Sequence, residues 1–207
     1  MRDDYYGLLR PEILEMIPAG CRSVLDVGCG SGALGAHLKQ TGVQEVCGIE
    51  IFHDAATQAR TVLDEVVEGN IEQVELPFRP GQFDCIICAD VLEHLVDPWA
   101  MVGKLKALLA PGGCIVASLP NVGFHRIVRG LMKGQWRYGN AGILDRTHLR
   151  FFTLPGVEEL FTGNGMSVEA ISRKIDGGWN IKLLNVMMFN RIKESLVFQY
   201  VVRARQS

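Results

Sequence analysis

Between residues 20 and 120, short apolar runs alternate with longer stretches that mix apolar and polar positions. The apolar runs "SVLDVG", "EVCGIEI", "DEVVEGN", "FDCIICAD" and "CIVASLP" predict five strands. Between them, "SGALGAHLKQTG", "HDAATQARTVL" and "DPWAMVGKLKALLAPGG" predict helices, the first closed by Gly42. A short helix, "RPEILEMI", with Pro11 in its first turn, precedes them. Strands that alternate with helices argue a doubly wound, mostly parallel α/β sheet. The nearly all-apolar "FDCIICAD" fits a strand covered on both faces. After Pro120 the pattern loosens. "GFHRIVRGLMKGQW" predicts a helix, "YGNAGILDRTHLRFFT" a long loop, "LPGVEELFTGNG" a helix and "MSVEAISRKI" a strand. "NIKLLNVMMFNRIKE" predicts a helix whose Met187, Met188 and Phe189 read as core, and "LVFQYVVRAR" a last strand. Two late strands imply an antiparallel hairpin at the sheet's edge. The expected layout is one domain over 1–207, with an N-terminal helix or lid over 1–19 and a substrate-side insertion over 121–154.

Composition narrows the class. The 207 residues are 48% hydrophobic and 21% charged, with a formal net charge of −2. That is enough apolar material for one sizeable core. The longest apolar runs fall short of a membrane span, and "MRDDYYGLLRPEILEMIP" has acids where a signal peptide needs a basic start. The expectation is a soluble cytoplasmic protein with no membrane partner. Cys85 and Cys88 spell CxxC, but on a strand residues three apart point to opposite faces, so small core side chains are expected. Charge is uneven. Residues up to about 119 are acidic on balance, whereas Arg126, Arg129, Lys133, Arg137, Arg146 and Arg150 crowd a span opposed only by Asp145. That span reads as a solvated face or as a patch for an anionic substrate. The low net charge argues against DNA and disfavours RNA.

The most informative stretch is "VLDVGCGSGALG". A strand ends in Asp26, glycines follow at 28, 30 and 32, and a helix begins. Such glycines let the chain turn sharply and approach a ligand at the helix start. The next strand ends in "GIEI", where the two oxygens of Glu50 can take both hydroxyls of a ribose. This is an adenosine-type cofactor site. The loop also fits G-x-G-x-x-A, which does not exclude NAD. The chain is short for a dehydrogenase, however, and has no Tyr-x-x-x-Lys pair of the short-chain type. In "EGNIEQVELPF", Asn70 can hydrogen-bond an adenine amine and Ile71 can cover the ring.

Taken in order, "VLDVGCGSG", "GIE", "GNIEQVELPF", "FDCIICADVLEHLVDP", "LLAPGG" and "ASLPN" resemble the successive motifs of class I S-adenosylmethionine-dependent methyltransferases. The resemblance implies a Rossmann-like seven-stranded sheet with one antiparallel edge strand. It implies S-adenosyl-L-methionine as cofactor and S-adenosyl-L-homocysteine as product. It places Asp26, Gly28 and Gly30 at the methionine end, Glu50 at the ribose, and Asn70 and Ile71 at the adenine; Asp90 is also expected to bind the cofactor. Position 70 is commonly Asp in the family, and the amide oxygen of Asn can accept the same hydrogen bond. Tyr5, Tyr6 and Arg10 are expected either to fold over the cofactor or to lie on a surface leader helix.

A hydroxyl acceptor needs its proton removed, and histidine suits that task near neutral pH. In "ADVLEHL", Asp90, Glu93 and His94 are spaced i, i+3, i+4 and share one face if the chain turns helically there. Three readings compete: His94 as a base oriented by a carboxylate; a cap that only ties the loop; or a metal held by Asp90, Glu93, His94 and His148. The metal pattern is similar to small-RNA 2′-O-methyltransferases and ubiquinone-biosynthesis O-methyltransferases. The favoured reading has no metal and takes His94 and His148 as catalytic. "GILDRTHLRFFT" is expected on the acceptor side, with Arg146 and Arg150 binding substrate and Asp145 pairing with either, or with all three forming an internal pin. His125 reads as packing or surface.

"SLPNVGFH" followed by that loop resembles bacterial methyltransferases found with glycan and secondary-metabolite assembly, which implies a small polar acceptor such as a sugar or nucleotide-sugar. The rivals are a metal-assisted RNA 2′-O-methyltransferase and a non-catalytic, cofactor-binding accessory protein.

Overall fold

The computed structural model describes residues 10–176 and 193–206. Tyr5, Tyr6, Met187, Met188, Phe189 and most of the helix expected around 180–194 lie outside these residues.

Seven strands form one sheet: β1 (Ser23–Val27), β2 (Glu45–Glu50), β3 (Glu65–Glu68), β4 (Phe83–Ala89), β5 (Leu109–Pro120), β6 (Met166–Ile175) and β7 (Val197–Gln206). Their order is β3-β2-β1-β4-β5-β7-β6. The first five run parallel. β7 runs antiparallel to both its neighbours and lies between β5 and the edge strand β6. The late hairpin is therefore present, with its second strand inserted inward.

The helices are α1 (Pro11–Leu14), α2 (Ala33–Gln40), α3 (His53–Ala59), α4 (Pro98–Leu108), α5 (His125–Leu131) and α6 (Leu154–Thr162). Alternation along the strands splits the core into two layers. On one face, Leu25, Ile49, Ile86, Cys88 and Ile115 pack with Met101 and Leu105 of α4 and Leu160 and Phe161 of α6. On the other, Val24, Val46, Cys85, Ile87 and Cys114 pack with Ile13, Leu34 and Leu38. Cys85 and Cys88 thus face opposite layers, as the strand period requires, and all six cysteines are free thiols. Among the described residues no helix is long and apolar enough to cross a membrane.

One element boundary differs from the sequence reading. The helix expected over 97–113 ends at Leu108, and β5 already begins at Leu109. Pro111 has no N–H for a helix, and Gly112 sits at φ 76°.

Candidate functional site

Strand order reverses between β1 and β4, and β1, β2 and β4 end side by side, so a crevice opens at their carboxyl ends. At the end of β1 the chain turns through Gly28 and Gly30, at φ 72° and 56°. A Cβ at Gly28 would lie 2.9 Å from Val91 Cγ2, so this turn also needs a bare backbone. Glu50, at the end of β2, is buried. Its carboxylate accepts the Gly30 N–H at 2.8 Å and the Phe52 N–H at 2.9 Å. Two such bonds fix the carboxylate against the glycine turn and leave acceptor capacity for a diol. Beside it, Ile51 and Phe52 stay about half exposed. An apolar pair left open beside a held carboxylate suits the flat, weakly polar face of an adenine.

Next to Glu50, past the end of β3, Ile71 is buried, and the Asn70 side-chain oxygen accepts the Glu72 N–H at 2.9 Å. A carbonyl oxygen has two lone pairs, so one remains for an adenine amine. Asp26 is buried at the end of β1, and its carboxyl is pushed up to about 7 by burial and then by the charge of Glu50, against the pull of Arg10. A buried acid near neutrality suits a cationic amino group. These residues fit S-adenosylmethionine: a diol holder, an adenine cover and an acid at the methionine end.

The acids and histidine of "ADVLEHL" separate in space. Asp90 takes a left-handed backbone at φ 57°, rare for a residue with a side chain. The turn that follows is a short 3₁₀ segment, Leu92–His94. Asp90 therefore does not continue into one helical face with Glu93 and His94. Its Oδ1 accepts the Ser118 hydroxyl at 2.6 Å and the Gln199 amide, and its Oδ2 pairs with Arg10 at 2.8 Å. Arg10, expected over the cofactor, thus lies against Asp90 at the ends of β4 and β5.

Glu93 and His94 meet His148 instead. Potential ligand atoms of Glu93, His94 and His148 lie within 4.8 Å of one another. The two imidazoles stand edge to face with centroids 4.7 Å apart. Leu149 N–H and Arg150 N–H both donate to the Glu93 carbonyl, at 2.8 and 3.0 Å, and so tie the distant loop to the 3₁₀ turn. His94 Nδ1 lies 3.2 Å from the Thr147 carbonyl and His148 Nδ1 2.9 Å from the Ile143 carbonyl. A carbonyl only accepts, so each Nδ1 carries its proton and each Nε2 is left as an acceptor. Burial, followed by His148, lowers the His94 pKa, which keeps that ring neutral at pH 7. Glu93 is buried with neither carboxylate oxygen hydrogen-bonded among the described residues. Burial, reinforced by Asp90, raises its pKa well above the carboxylate range.

His148 also lines a cavity of about 420 Å³, with Tyr138, Arg146, Leu149 and Phe151. Arg146 is therefore placed where an acceptor could be held. Arg150 is not: its guanidinium donates to the Val96 carbonyl and lies 5.8 Å from the Trp99 ring centroid. The cause of this placement is local, because the loop returns over the start of α4. Asp145 pairs with neither arginine among the described ion pairs; its carboxylate accepts the Thr147 N–H and hydroxyl, at 2.8 and 2.7 Å. His125 packs on Phe124 with its Nδ1 toward the Ser195 carbonyl, as a packing residue would.

Sequence reasoning missed Ser118 and Gln199 around Asp90, because strand pairing alone brings them there. It also missed Ile51 and Phe52, and the Trp136–Phe151 contact at 5.2 Å beside the cavity. The apolar pair directly after Glu50, and the aromatic density over 136–152, were the available signals.

Comparisons with known proteins agree with this geometry. Two curated relatives are named ubiquinone biosynthesis O-methyltransferase. The one from Albidiferax ferrireducens is 33% identical over 115 residues, covering 53% of this chain and 45% of that protein. The one from Xanthomonas axonopodis pv. citri is 35% identical over 150 residues, covering 63% and 62%. The chain thus spans less than two thirds of their length. A solved S-adenosylmethionine-dependent methyltransferase from Mesorhizobium loti superimposes with a TM-score of 0.66 at 16% identity, covering 95% of this chain and 96% of that one. Another, from Archaeoglobus fulgidus, gives 0.65 at 20% identity, covering 90% and 87%. At such identities the likeness is one of fold. A family model described as a methyltransferase domain matches residues 1–171. With the crevice, the held Glu50 carboxylate and that match over most of its length, the chain belongs to the methyltransferase-domain family, whose cofactor here is S-adenosylmethionine.

Proposed function

We propose that this chain transfers a methyl group to a hydroxyl oxygen of a small polar molecule, a sugar or nucleotide-sugar being the candidate acceptor. The observation that carries the reading is the convergence of His94, His148 and Glu93 beside the cavity that His148 shares with Arg146. The names of the curated relatives support oxygen as the accepting atom.

The cofactor supplies a methyl on a cationic sulfonium, a leaving group that departs as a neutral thioether. The chain's work is positioning and proton removal. Glu50 holds the ribose diol, Ile51 and Ile71 cover the adenine, and Asp26 faces the methionine end. Arg146 draws an anionic acceptor into the cavity. An imidazole Nε2 of His94 or His148 would take the hydroxyl proton and hold it as an imidazolium. With the cofactor bound, the acceptor oxygen would gain the methyl and the sulfonium would leave as a thioether that keeps the C–S pair, so the positive charge passes from sulfur to the imidazole.

Glu93 favours a second reading. A buried carboxylate with two unpartnered oxygens is costly unless it is protonated or faces a cation. Two imidazoles beside it, each with Nδ1 directed at a carbonyl, have the second-shell arrangement of metal ligands. In this reading Glu93, His94 and His148 hold a divalent cation, which would acidify the acceptor hydroxyl, and Asp90 stays with Ser118, Gln199 and Arg10. Methyl transfer to a panel of sugars, nucleotide-sugars, phenols and short RNAs, with and without a chelator, separates the readings. The histidine-base reading predicts turnover that survives chelation. Loss on chelation with recovery on adding one divalent metal selects the cation. Cofactor binding with no turnover on any acceptor contradicts both and leaves an accessory role.

A further inference from the structure

We propose that the face built from α5 and residues 132–138 docks on an anionic lipid bilayer. None of the residues of α5 is buried, although the helix carries Val128 and Leu131. Val128, Leu131 and Met132 are spaced i, i+3, i+4 and so share one side, with Leu131 and Met132 exposed at 56% and 76%. Every residue from 131 to 138 is exposed, and the run ends in Trp136 and Tyr138. Among the described residues, this side of the helix is left open by the core it adjoins.

Charge selects the partner. Arg126, Arg129, Lys133 and Arg137 intersperse these apolar tips, and the sequence has no acid between Asp97 and Asp145. Arg126 lies 3.8 Å from exposed Asp176. Among the described residues no carboxylate pairs with Arg129, Lys133 or Arg137. A cationic surface on a chain of net charge −2 is a local feature. Cations with aliphatic and aromatic tips on one short helix and the segment that follows it match the boundary of an anionic bilayer: phosphates meet the cations, and Leu131 and Met132 enter the acyl edge. A nucleic acid would use the cations and leave Val128, Leu131 and Met132 in water. Interfacial docking needs no spanning segment, so the expectation of no membrane partner, which rested on the lack of one, does not bear on it.

Tyr138 belongs both to this face and to the cavity at His148. Docking therefore turns the cavity toward the headgroup layer, and an acceptor would reach it from the membrane; that consequence rests on the methyl-transfer reading, whereas docking itself does not.

The test is sedimentation of the full chain with vesicles of phosphatidylcholine alone and of phosphatidylcholine with phosphatidylglycerol. Binding is expected only to the anionic vesicles and should fall as salt rises. Arg129→Gln with Lys133→Gln should weaken it by roughly twenty-five-fold, from about fivefold per cation. Leu131→Gln with Met132→Gln should weaken it by about tenfold or more. Both pairs should keep wild-type affinity for S-adenosylhomocysteine, which shows that they fold and separates this test from the methyl-transfer reading. Absence of binding to any vesicle overturns the proposal. So does loss in the charge variant alone with equal capture of a short RNA, which would make the face a general polyanion surface. Concentration-dependent self-association without vesicle binding, abolished by the apolar pair, also overturns it and assigns the face to a second copy.

Discussion

Asp90 and Glu93 are both acids, three positions apart, and they meet opposite fates. Asp90 is held by a serine, a glutamine and an arginine from distant parts of the chain, whereas Glu93, with no hydrogen bond to its carboxylate among the described residues, lies with a ligand atom within 4.8 Å of those of two histidines. The spacing alone did not foretell this, because it assumes a helical turn and Asp90 leaves the strand in a left-handed conformation. What the sequence did carry was chemical type: Asp26 and Glu50 were legible as acids at the ends of apolar strands, and His94 and His148 as a pair of imidazoles, which the fold brings to 4.7 Å between ring centroids.

Two predictions belong at this scale. Glu50→Gln removes a charged acceptor from the ribose and from two backbone N–H groups, so affinity for S-adenosylhomocysteine should fall roughly ten- to hundredfold by calorimetry. Asp26 has a folded-state pKa of about 7 against an ordinary value of 3.8. The folded chain therefore holds this proton more tightly than the unfolded one. Its ionisation costs stability as pH rises from about 4 to about 7, and below that window the two states do not differ through this group. Urea unfolding of the cofactor-free protein should show Asp26→Asn gaining on wild type across that window, by up to about 4 kcal/mol at its upper end.

Elements were legible where period and punctuation agreed. The run "FDCIICAD" gave β4 nearly to the residue, and the loop after Tyr138 has no regular element before α6. Boundaries slipped where glycine and proline decided them. α4 stops before "APGG", and α5, expected over 123–136, ends at Leu131, ahead of Gly134 at φ 69°. The start of α4 is set by Asp97, whose carboxylate accepts the Ala100 N–H at 3.0 Å, with Pro98 in the first turn. Asp97→Ala should cost about 1 kcal/mol in urea unfolding. Cofactor affinity should be unchanged, because α4 packs under the sheet rather than over the crevice. The pairing of the acceptor loop with the 3₁₀ turn was not legible: it runs through the Glu93 carbonyl, a backbone group that no residue pattern marks.

At the scale of the whole molecule, the sheet order explains why the residues at or just past the strand ends, at positions 26, 50, 70 and 90, gather at one end of the sheet. Parallel strands put their carboxyl ends on one side, and the reversal between β1 and β4 opens a gap there. Alternation of strands and helices foretold this much. The insertion of β7 beside β5, which delivers Gln199 to Asp90, depends on long-range pairing that local periodicity does not encode. The proposed division of labour has the cofactor on the β1–β2 side and proton removal at the end of β4, with the acceptor in the cavity that His148 lines.

That division is tested most directly by transfer of a radiolabelled methyl group to an acceptor found in the panel, comparing wild type with His94→Ala and His148→Ala. At least one variant should lose about a hundredfold or more in turnover while keeping its affinity for S-adenosylhomocysteine. Full turnover in both variants would contradict the account, because the two imidazoles would then have no part in the transfer.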